Sequence, residues 1–548
     1  MINQFSRRRM LKRTGQAILL STLAVPACVA ERRSPRVGQP GAIIGEPTGA
    51  EVGARVLAEG GNAVDAAVAA ALMSCVATPA RCGVGGYGGH MTIALASGKK
   101  IASIDFNTTA PAAAREDMFP LHDNGEVKGS VNVFGWLAAG VPGTLAGLQL
   151  ALDLYGTRPF RELVQPAIEI AKNGFVVNGP FAAAVHGARP RFRNDPGSAR
   201  LYLHNGEPRK VGEQLPNPEL AELLSTLARR NSVESFYRGD IALRIAEAFE
   251  KNGGLVTTRD LEAYEAMEVE PLQFKWEKFD IFTGPLTAGG ITVLQAFSIL
   301  KALSWASLPV PAATHAQLEA LRLAWKDRLE LLGDPRKVKV PVERLLSSNY
   351  ARKLASEIER AVKEKRPVPI EVPKHHDEGT NNISCVDQHG NMAAITLTQG
   401  GSFGAQVTID GLGLTLGHGM SRFDPHPGHP NAPGPGKRPL HNMCPSVVLR
   451  SGKPVLAIGG AGGMKIPNAL FDTLREYLIR NKSIEQAVRS ARLHSTGTLE
   501  VSIEAAWPQM EADYLKELGF KLKTAESTAR ISAVSFNPRS GECQASMR

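Results

Sequence analysis

The sequence predicts an α+β protein, in which helical segments and strand pairs occupy different parts of the chain. The region from Gly140 to about Val362 has mostly helical apolar spacing, and residues 378–404 have the pattern of a β-hairpin. A strand, a glycine loop and a helix follow between Pro454 and Ile479. Because 548 residues are too many for one ordinary core, we expect at least two domains or one large layered domain.

The first thirty residues have the features of an export signal and are excluded from fold reasoning. Ser6 to Lys12 includes three consecutive arginines and resembles a twin-arginine motif, and an apolar run from Ala17 to Ala27 follows it. That run is too short for a comfortable transmembrane helix. Twin-arginine export carries folded proteins, so we expect a periplasmic or otherwise extracytoplasmic protein in a bacterium.

Two processing sites compete at the end of this signal. Val25-Pro26-Ala27-Cys28 matches a lipoprotein site, and a lipidated Cys28 would tether the protein to a membrane. Plain cleavage after Ala27 or Ala30 is the alternative.

Composition narrows the classes of partner. The hydrophobic content of 43%, with 54 Gly and 36 Pro, is typical of a globular, loop-rich chain. The net charge of +10 is modest for this size, aromatic residues make up 6%, and no basic stripe interleaved with aromatics occurs, so we expect no nucleic-acid partner. A mildly basic surface would suit anionic substrates, although solubility alone accounts for it.

The cysteines and histidines indicate neither a metal site nor a cofactor. Besides Cys28 there are five irregularly spaced cysteines, an odd number that predicts neither a disulfide framework nor a zinc site. A Cys75–Cys82 pair in an oxidising compartment stays open as an alternative. His375 and His376 lie in a Pro-containing polar stretch, where a solvated linker explains them better than metal binding.

The N-terminal part of the mature chain predicts two helices and then a strand. Glu51 to Cys75 has helical spacing, interrupted at Gly60-Gly61, and Asn62 can cap the second helix. The glycines of 83–89 precede a strand-like run, Met91 to Ala96. A phosphate-binding loop needs the order strand, loop, helix, so close backbone packing explains these glycines better.

The middle of the chain predicts an α-rich layer. The helical segments are Ala146 to Tyr155, Phe160 to Lys172, Asn217 to Arg230, Ile241 to Lys251, Thr314 to Leu332 and Ser348 to Val362.

The hairpin at 378–404 consists of two runs rich in β-branched and small residues around a polar turn. A turn centred on His389 sets Val386 opposite Met392 and Thr380 opposite Thr398. Cross-strand partners have Cβ atoms about 5 Å apart, so the Thr398 hydroxyl can reach whatever Thr380 contacts. Threonine is also a good strand former, so the hairpin alone does not indicate catalysis.

Past the hairpin, strands are expected at Ser446 to Leu449 and at Pro454 to Ile458, and the second leads into the glycine loop 459–464 and a helix, Asn468 to Ile479. A dinucleotide site fails on context, because no following strand ends in an acidic residue and no tandem βαβ unit occurs. Two interpretations remain. One is a tight turn, and the other is a pair of N–H groups at a helix N-terminus, suited to an oxyanion.

Seven short motifs occur between about Gly45 and the C-terminus. They are Gly60-Gly61-Asn62-Ala63-Val64-Asp65-Ala66-Ala67, Gly140-Val141-Pro142-Gly143-Thr144, Phe236-Tyr237-Arg238-Gly239, Asp327-Arg328 with Gly333-Asp334-Pro335, Gly379-Thr380 with Ser384 and Val386-Asp387, Lys437-Arg438-Pro439-Leu440, and Gly462-Gly463. Together, and in this order, they resemble the motifs of the γ-glutamyltranspeptidase family.

The resemblance implies an N-terminal-nucleophile hydrolase fold, a four-layer αββα sandwich made as one precursor. The precursor would cleave itself between Gly379 and Thr380. The implied organisation is an export signal at 1–30, a large subunit at 31–379 and a small subunit at 380–548, with the two subunits forming a heterodimer.

The resemblance also implies catalytic roles. Thr380 would attack the carbonyl of a small amide or peptide substrate, with its own freed α-amine as the base. Thr398 would orient that hydroxyl and amine. The N–H groups of Gly462 and Gly463 would hold the oxyanion.

Departures from the family pattern fall on the substrate-recognition set. Asn107 stands where the family has an arginine for the substrate α-carboxylate, and Arg422 stands where it has an acidic residue for the α-amine. His441 and Asn442 replace paired serines, and Gly400 replaces a polar residue. We therefore expect that the catalytic residues are retained and that the pocket does not fit a zwitterionic γ-glutamyl group.

Three hypotheses follow. The leading one is an exported, self-processing amidohydrolase or acyltransferase with a diverged pocket, for donors with an anionic or neutral acyl group and no free amine. The first alternative is a true glutathione hydrolase and γ-glutamyltransferase. The second is a non-catalytic binding protein that keeps the fold.

Overall fold

The computed structural model describes residues 41–372, except Ser304 and the side chain at 306, and residues 380–548. The export signal, Cys28, the His375–His376 pair and Gly379 lie outside the described residues.

The strands and helices alternate irregularly along the chain. The strands are β1 (Gly41–Ile44), β2 (Gly88–Ala94), β3 (Ile101–Asp105), β4 (Phe175–Val176), β5 (Leu203–His204), β6 (Glu207–Pro208), β7 (Gln214–Leu215), β8 (Met267–Val269), β9 (Leu272–Trp276), β10 (Phe279–Thr283), β11 (Asn381–Asp387), β12 (Met392–Thr398), β13 (Thr408–Ile409), β14 (Leu414–Thr415), β15 (Ser446–Arg450), β16 (Lys453–Ala461), β17 (Leu493–His494), β18 (Glu500–Glu504), β19 (Lys521–Ala525), β20 (Arg530–Phe536) and β21 (Cys543–Met547). The α-helices are α1 (Pro47–Ala58), α2 (Ala63–Ala77), α3 (Thr144–Tyr155), α4 (Phe160–Leu163), α5 (Gln165–Asn173), α6 (Gly179–Phe192), α7 (Pro196–Tyr202), α8 (Pro218–Arg230), α9 (Glu234–Arg238), α10 (Asp240–Lys251), α11 (Thr258–Glu262), α12 (Gly290–Ala302), α13 (Val310–Leu331), α14 (Val342–Leu345), α15 (Ser348–Lys363), α16 (Lys465–Leu478), α17 (Ile484–Arg489) and α18 (Gln509–Glu517). Short 3-10 turns cover Lys128–Ser130, Trp136–Ala138, Trp305–Ser307 and Gly419–Arg422.

Two six-stranded sheets form the centre of the molecule. The first has the strand order β1-β11-β12-β2-β3-β8 and the second β21-β20-β16-β15-β10-β9. Their facing sides pack through small and branched residues, among them Val386 and Ala394 on the first sheet and Val447 and Ala457 on the second.

Helices cover the outer side of each sheet. One core lies between the first sheet and the helices α1, α2, α3, α5, α8 and α10, and the other lies between the second sheet and α12, α13, α15 and α16. The layers therefore run helix, sheet, sheet, helix. This arrangement confirms the αββα sandwich predicted from the resemblance.

The first two helices form as the sequence predicts. Asn62 accepts hydrogen bonds from the N–H groups of Val64 (2.8 Å) and Asp65 (3.0 Å), and Asp65 accepts one from the N–H of Asn62 (2.9 Å), which completes a capping box. The glycines before β2 permit close backbone packing. Gly88 has φ +108°, and a Cβ on it would lie 1.8 Å from the carbonyl oxygen of Phe106.

The hairpin register is also confirmed. β11 pairs with β12 from Asn381 opposite Leu397 to Val386 opposite Met392. Gly390, with φ +87°, closes the turn by donating to the Asp387 carbonyl (3.0 Å).

The prediction of a mostly helical middle was incomplete. β8, β9 and β10 lie within it and extend both sheets. In β9 half-buried Leu272, Phe274 and Trp276 alternate with exposed polar residues, a period of two on an edge strand that the helical pattern around it obscured. The segment predicted as one helix from Phe160 is two helices, because a proline follows Gln165 at the start of α5.

The pairing of Cys75 with Cys82 is not observed. Both are free thiols in the protein interior. Over the part of the chain that the structure describes, none of the helices combines the length and the apolarity needed to span a bilayer.

Candidate active site

A small cavity of about 220 Å³ brings several predicted site residues together. Its lining consists of Tyr87, Thr380, Gly400, Arg422, Asn442, Met443, Gly463 and Ile466. The predicted nucleophile Thr380, Gly463 of the glycine turn, and the predicted recognition residues Gly400, Arg422 and Asn442 are distant in sequence but line the same cavity.

Thr380 lies at the start of β11, where the two sheets face each other. Extending the observed register by one residue sets it opposite Thr398 at the end of β12. Alternation along β11 puts Thr380 on the same side as Val386, which packs between the sheets. Thr380 is 7% exposed and Thr398 is 1% exposed, so a water-poor site surrounds both hydroxyls.

A tight turn at Gly400 follows Thr398. The N–H of Gly400 donates to Thr398 Oγ1 at 2.7 Å, and that hydroxyl makes a longer contact of 3.4 Å to the Gly400 carbonyl oxygen. Gly400 has φ +97° and contributes only backbone to the cavity wall. Gly400 therefore presents no side chain to the cavity.

The glycine pair Gly462-Gly463 connects β16 to α16 and is a tight turn at a helix N-terminus. The two residues have φ +142° and +59°, values that favour glycine. Lys465 and Ile466 donate to their carbonyl oxygens, both at 3.2 Å, as the helix begins. Gly463 borders the cavity, whereas Gly462 lies one residue behind it.

Arg422 and Asn442 contribute polar side chains to the cavity lining, and we call them the polar wall. Arg422 ends the 3-10 turn Gly419–Arg422, and Asn442 precedes β15. Asn442 Oδ1 accepts from Nη2 of Arg328 (3.2 Å), which also donates to the His441 carbonyl (2.7 Å). Burial, and then the positive charge of Arg422, lower the pKa of Arg328 to about 10. Arg328 belongs to the sequence motif Asp327-Arg328, but the sequence analysis assigned it no role.

Asn107 is not brought to the cavity. It is fully buried, and its Nδ2 donates to Thr287 Oγ1 (2.8 Å) and to the Pro439 carbonyl (2.7 Å). Its backbone carbonyl accepts from the Tyr264 hydroxyl (2.9 Å). Asn107 therefore braces the loop before Leu440 and does not line the cavity.

His441 is likewise buried and absent from the cavity lining. Its Nε2 lies 3.0 Å from His90 Nδ1, and His90 Nε2 lies 3.7 Å from Asp105, which is paired with Arg438 (2.6 Å). Burial lowers the pKa of both histidines, and the charge of Arg438 lowers both further. His441 is therefore neutral near pH 7, and the sequence pattern did not indicate its pairing with His90.

No metal centre is formed by the described residues, because no group of three or more His, Cys, Asp or Glu side chains there could hold a metal ion.

Comparison with known proteins matches this arrangement to one family. A family model described as γ-glutamyltranspeptidase matches residues 49–548. The glutathione hydrolase proenzyme of Escherichia coli (strain K12) is 34% identical over 511 residues, covering 90% of this chain and 87% of that protein. The acylase ACY 1 proenzyme of Pseudomonas sp. (strain SE83) is 31% identical over 518 residues, covering 92% and 91%.

Solved structures give the same result. The chain superposes on a cephalosporin acylase from Bacillus halodurans with a TM-score of 0.84 and 25% identity, covering 97% of this chain and 98% of that chain. A γ-glutamyltranspeptidase chain from Helicobacter pylori gives a TM-score of 0.56 at 31% identity, covering 62% of this chain and 95% of that chain.

Proposed function

The chain belongs to the γ-glutamyltranspeptidase family and is an enzyme of the N-terminal-nucleophile hydrolase type, and we propose that it cleaves an amide through an acyl-Thr380 intermediate. The acyl group that it accepts carries an anionic group and no free α-amine. The observation that carries this proposal is Arg422 in the same cavity as Thr380.

The nucleophile argument starts from Thr380. Cleavage between Gly379 and Thr380 would free an α-amine, which titrates near neutrality and can take the proton of the Thr380 hydroxyl. The hydroxyl oxygen then bonds to the amide carbonyl carbon, the carbon–nitrogen bond breaks, and the proton leaves with the amine product. Water or a second amine repeats these steps in reverse and releases the acyl group.

The turn at Gly462 and Gly463 supports the charged intermediate in this proposal. Backbone N–H groups at the start of the 14-residue helix α16 sit at the positive end of the helix dipole. Gly463 faces the cavity that contains Thr380. Removing one such donor in other enzymes costs about 3 kcal/mol of transition-state stabilisation.

The charge of the cavity wall supports an anionic acyl group. Among the described lining residues, Arg422 is the one with a formal charge, and Arg328 behind Asn442 adds a second positive charge. A substrate carboxylate would make a charge-assisted hydrogen bond to Arg422, whereas a substrate ammonium would meet repulsion. Such a contact is worth about 2 kcal/mol, or about 30-fold in kcat/KM.

The alternative of a true glutathione hydrolase rests on the name of the 34% identical relative. It requires that other residues grip the α-carboxylate and α-amine of a γ-glutamyl group. Asn107 is committed to Thr287 and Pro439, and Arg422 has the wrong charge for an amine. We therefore favour the donor without an amine.

A denaturing gel tests the processing. The purified protein should give two fragments whose masses match a cut before Thr380, and Thr380→Ala should give one intact chain. A wild-type chain that stays intact under all conditions would contradict the proposal.

Two anilide donors that differ only in the α-amine test the pocket. They are a γ-glutamyl anilide and the corresponding dicarboxylic monoanilide that lacks the amine. We expect the second to have the higher kcat/KM and Arg422→Gln to lower its kcat/KM by about 30-fold. Arg229→Gln, on the exposed face of α8, is the matched control and should change nothing. The pocket proposal fails if the γ-glutamyl anilide is the better donor or if Arg422→Asp leaves kcat/KM unchanged.

We also propose that the enzyme is exported and that its mature form begins at Cys28 or at Glu31, after cleavage following Ala27 or Ala30. Cell fractionation and the mass of the mature N-terminus test this. A lipid on Cys28 would place the protein in the membrane fraction, plain cleavage would place it in the soluble extracytoplasmic fraction, and an uncleaved cytoplasmic protein would contradict export.

A further inference from the structure

His418 lies beside the nucleophile hairpin, buried to 1% exposure. Its Nε2 accepts a hydrogen bond from the N–H of Gly401 at 2.6 Å, and its Nδ1 lies 3.0 Å from the carbonyl oxygen of Val133. Because a carbonyl oxygen only accepts and an N–H only donates, Nδ1 is the donor towards Val133 and Nε2 is the acceptor from Gly401.

The backbone of His418 holds the same turn. Its N–H donates to the carbonyl of Gln399 at 3.0 Å. The residue thus bonds to the turn on both sides of Gly400, once through the backbone and once through the ring. Val133 belongs to the proposed large subunit and Gly401 to the small one, so the ring bridges the two.

The imidazole also occupies space that a side chain on Gly400 would need. A Cβ at position 400 would lie 1.9 Å from His418 Cδ2 and 2.0 Å from Nε2. Real Cβ atoms do not approach ring atoms that closely, so the ring and a side chain at 400 exclude each other. The replacement of the family's polar residue by Gly400 is therefore explained by the ring of His418.

The turn that His418 holds is bonded to the proposed orienting hydroxyl. The Gly400 N–H donates to Thr398 Oγ1 at 2.7 Å, and Thr398 lies opposite Thr380. The Thr398 hydroxyl contacts both the N–H and the carbonyl oxygen of Gly400, so a displaced Gly400 would change the position of that hydroxyl opposite Thr380.

We propose that His418 is the positioning residue of this site: its ring takes the place of a side chain at 400 and fixes the turn that aims Thr398 at Thr380. The proposal rests on the proposed role of Thr380. His418 does not line the cavity, so it acts on the chemical step and not on substrate binding.

Three variants at one position test the hydrogen bond to Gly401. We expect His418→Ala to lower kcat by about tenfold to a hundredfold with KM within about threefold, since positioning affects the transition state. A glutamine side chain can place Oε1 near the position of Nε2, so His418→Gln should recover most of kcat. An asparagine reaches only the position of Nδ1, so His418→Asn should resemble alanine.

His429 provides a matched control. Its ring has the same pattern, accepting from the Asn431 N–H (3.0 Å) and lying 2.8 Å from the Leu329 carbonyl, but outside the cavity. His429→Ala should leave kcat within about twofold. Equal effects of the two alanine variants, or a His418→Ala effect confined to KM, would overturn the proposal.

A double variant tests the exclusion of side chain by ring, and it applies even if one single variant folds poorly. Gly400→Ala should be less harmful, in thermal stability and in kcat, when combined with His418→Ala than alone, because the clash is gone and only the strain of an alanine at φ +97° remains. Strictly additive effects would overturn the proposal. Thermal stability can be measured without catalytic activity. If the wild-type enzyme fails to process itself, the proposed function is wrong, but the stabilities of these variants still show whether the ring of His418 and a side chain at 400 exclude each other.

Discussion

Arg328 donates from a single guanidinium nitrogen, Nη2, to the carbonyl oxygen of His441 at 2.7 Å and to Oδ1 of Asn442 at 3.2 Å. The helix α13 thereby fixes the polar wall of the cavity. Arg328 is buried, and burial followed by the positive charge of Arg422 lowers its pKa to about 10, without a carboxylate partner among the described residues to raise it again. The protein keeps a costly buried cation beside the proposed anion site.

Replacing Arg328 should affect binding more than stability. In Arg328→Met the desolvation cost of the cation disappears, so we expect the free energy of unfolding to change by no more than about 1 kcal/mol. Oδ1 of Asn442 loses its hydrogen-bond donor, and the cavity loses positive electrostatic potential. KM for the anionic acyl donor should therefore rise about tenfold. Denaturant titration and steady-state kinetics measure the two effects.

Arg322 is the matched control on the same helix. It is buried but pairs with Glu319 at 2.7 Å, so Arg322→Met strands a buried carboxylate and should cost about 3 kcal/mol or more. If Arg328→Met destabilised the protein as much, the charge of Arg328 would be compensated by a group other than His441 and Asn442.

Thr398 should be needed through its hydroxyl and not through its shape. Thr398→Val keeps the volume but removes the acceptor of the Gly400 N–H, and we expect kcat to fall about a hundredfold while Thr398→Ser stays within about tenfold. Thr473→Val removes an equally buried hydroxyl, bonded to the Ala469 carbonyl within α16, and should leave kcat unchanged. Stopped or steady-state assays on the processed variants measure these differences in kcat.

Asp472 should make the protein less stable as the pH rises. Burial raises its pKa to about 7 from an unfolded value of 3.8, despite Arg475 nearby and a hydrogen bond from the Leu493 N–H (3.1 Å). A raised folded pKa gives stability that is complete below pH 3.8 and is lost as the pH rises through about 7. The slope reaches at most about 1.4 kcal/mol per pH unit.

Asp472→Asn should therefore flatten the stability profile between pH 3.8 and about 7, removing a slope of up to about 1.4 kcal/mol per pH unit, because the amide cannot ionise. Gln317, whose Nε2 now donates to Asp472 Oδ1 at 2.6 Å, can turn its amide to accept from the asparagine. Asp513→Asn, at an exposed position on α18, is the control and should leave the profile unchanged. Parallel wild-type and Asp472→Asn curves would contradict the prediction.

We expect a substitution at Gly462 to lower activity by more than backbone strain alone would explain. In Gly462→Ala the positive φ of +142° becomes strained and the new Cβ lies 3.1 Å from Ala529 Cα, so the turn proposed to hold the oxyanion shifts. We expect kcat to fall at least about tenfold. Gly428→Ala, at φ +83° in a surface loop with no atom within 4 Å, carries similar strain without this effect. Equal losses of activity would mean that strain alone explains the result.

Local sequence patterns predicted the parts of the site that lie within one element. Alternation along β11 and β12, together with the Asp387–Gly390 turn, set the register that puts Thr380 opposite Thr398. The capped start of α2 and the glycine turn before α16 were predicted for the same reason. The physical basis is short-range: side-chain periodicity, turn geometry and capping act over a few residues.

Tertiary structure alone decided which distant residues share the cavity. Asn107 was predicted as a substrate contact, yet its amide is bound to Thr287 and Pro439, which are 180 and 332 residues away along the chain. The roles of Arg328 and His418 depend equally on contacts between separate segments. The sequence thus determined the hairpin that carries the proposed nucleophile. Packing of the two sheets with their loops determined the charge and shape of the pocket, because contacts between distant segments leave no periodic pattern in the chain.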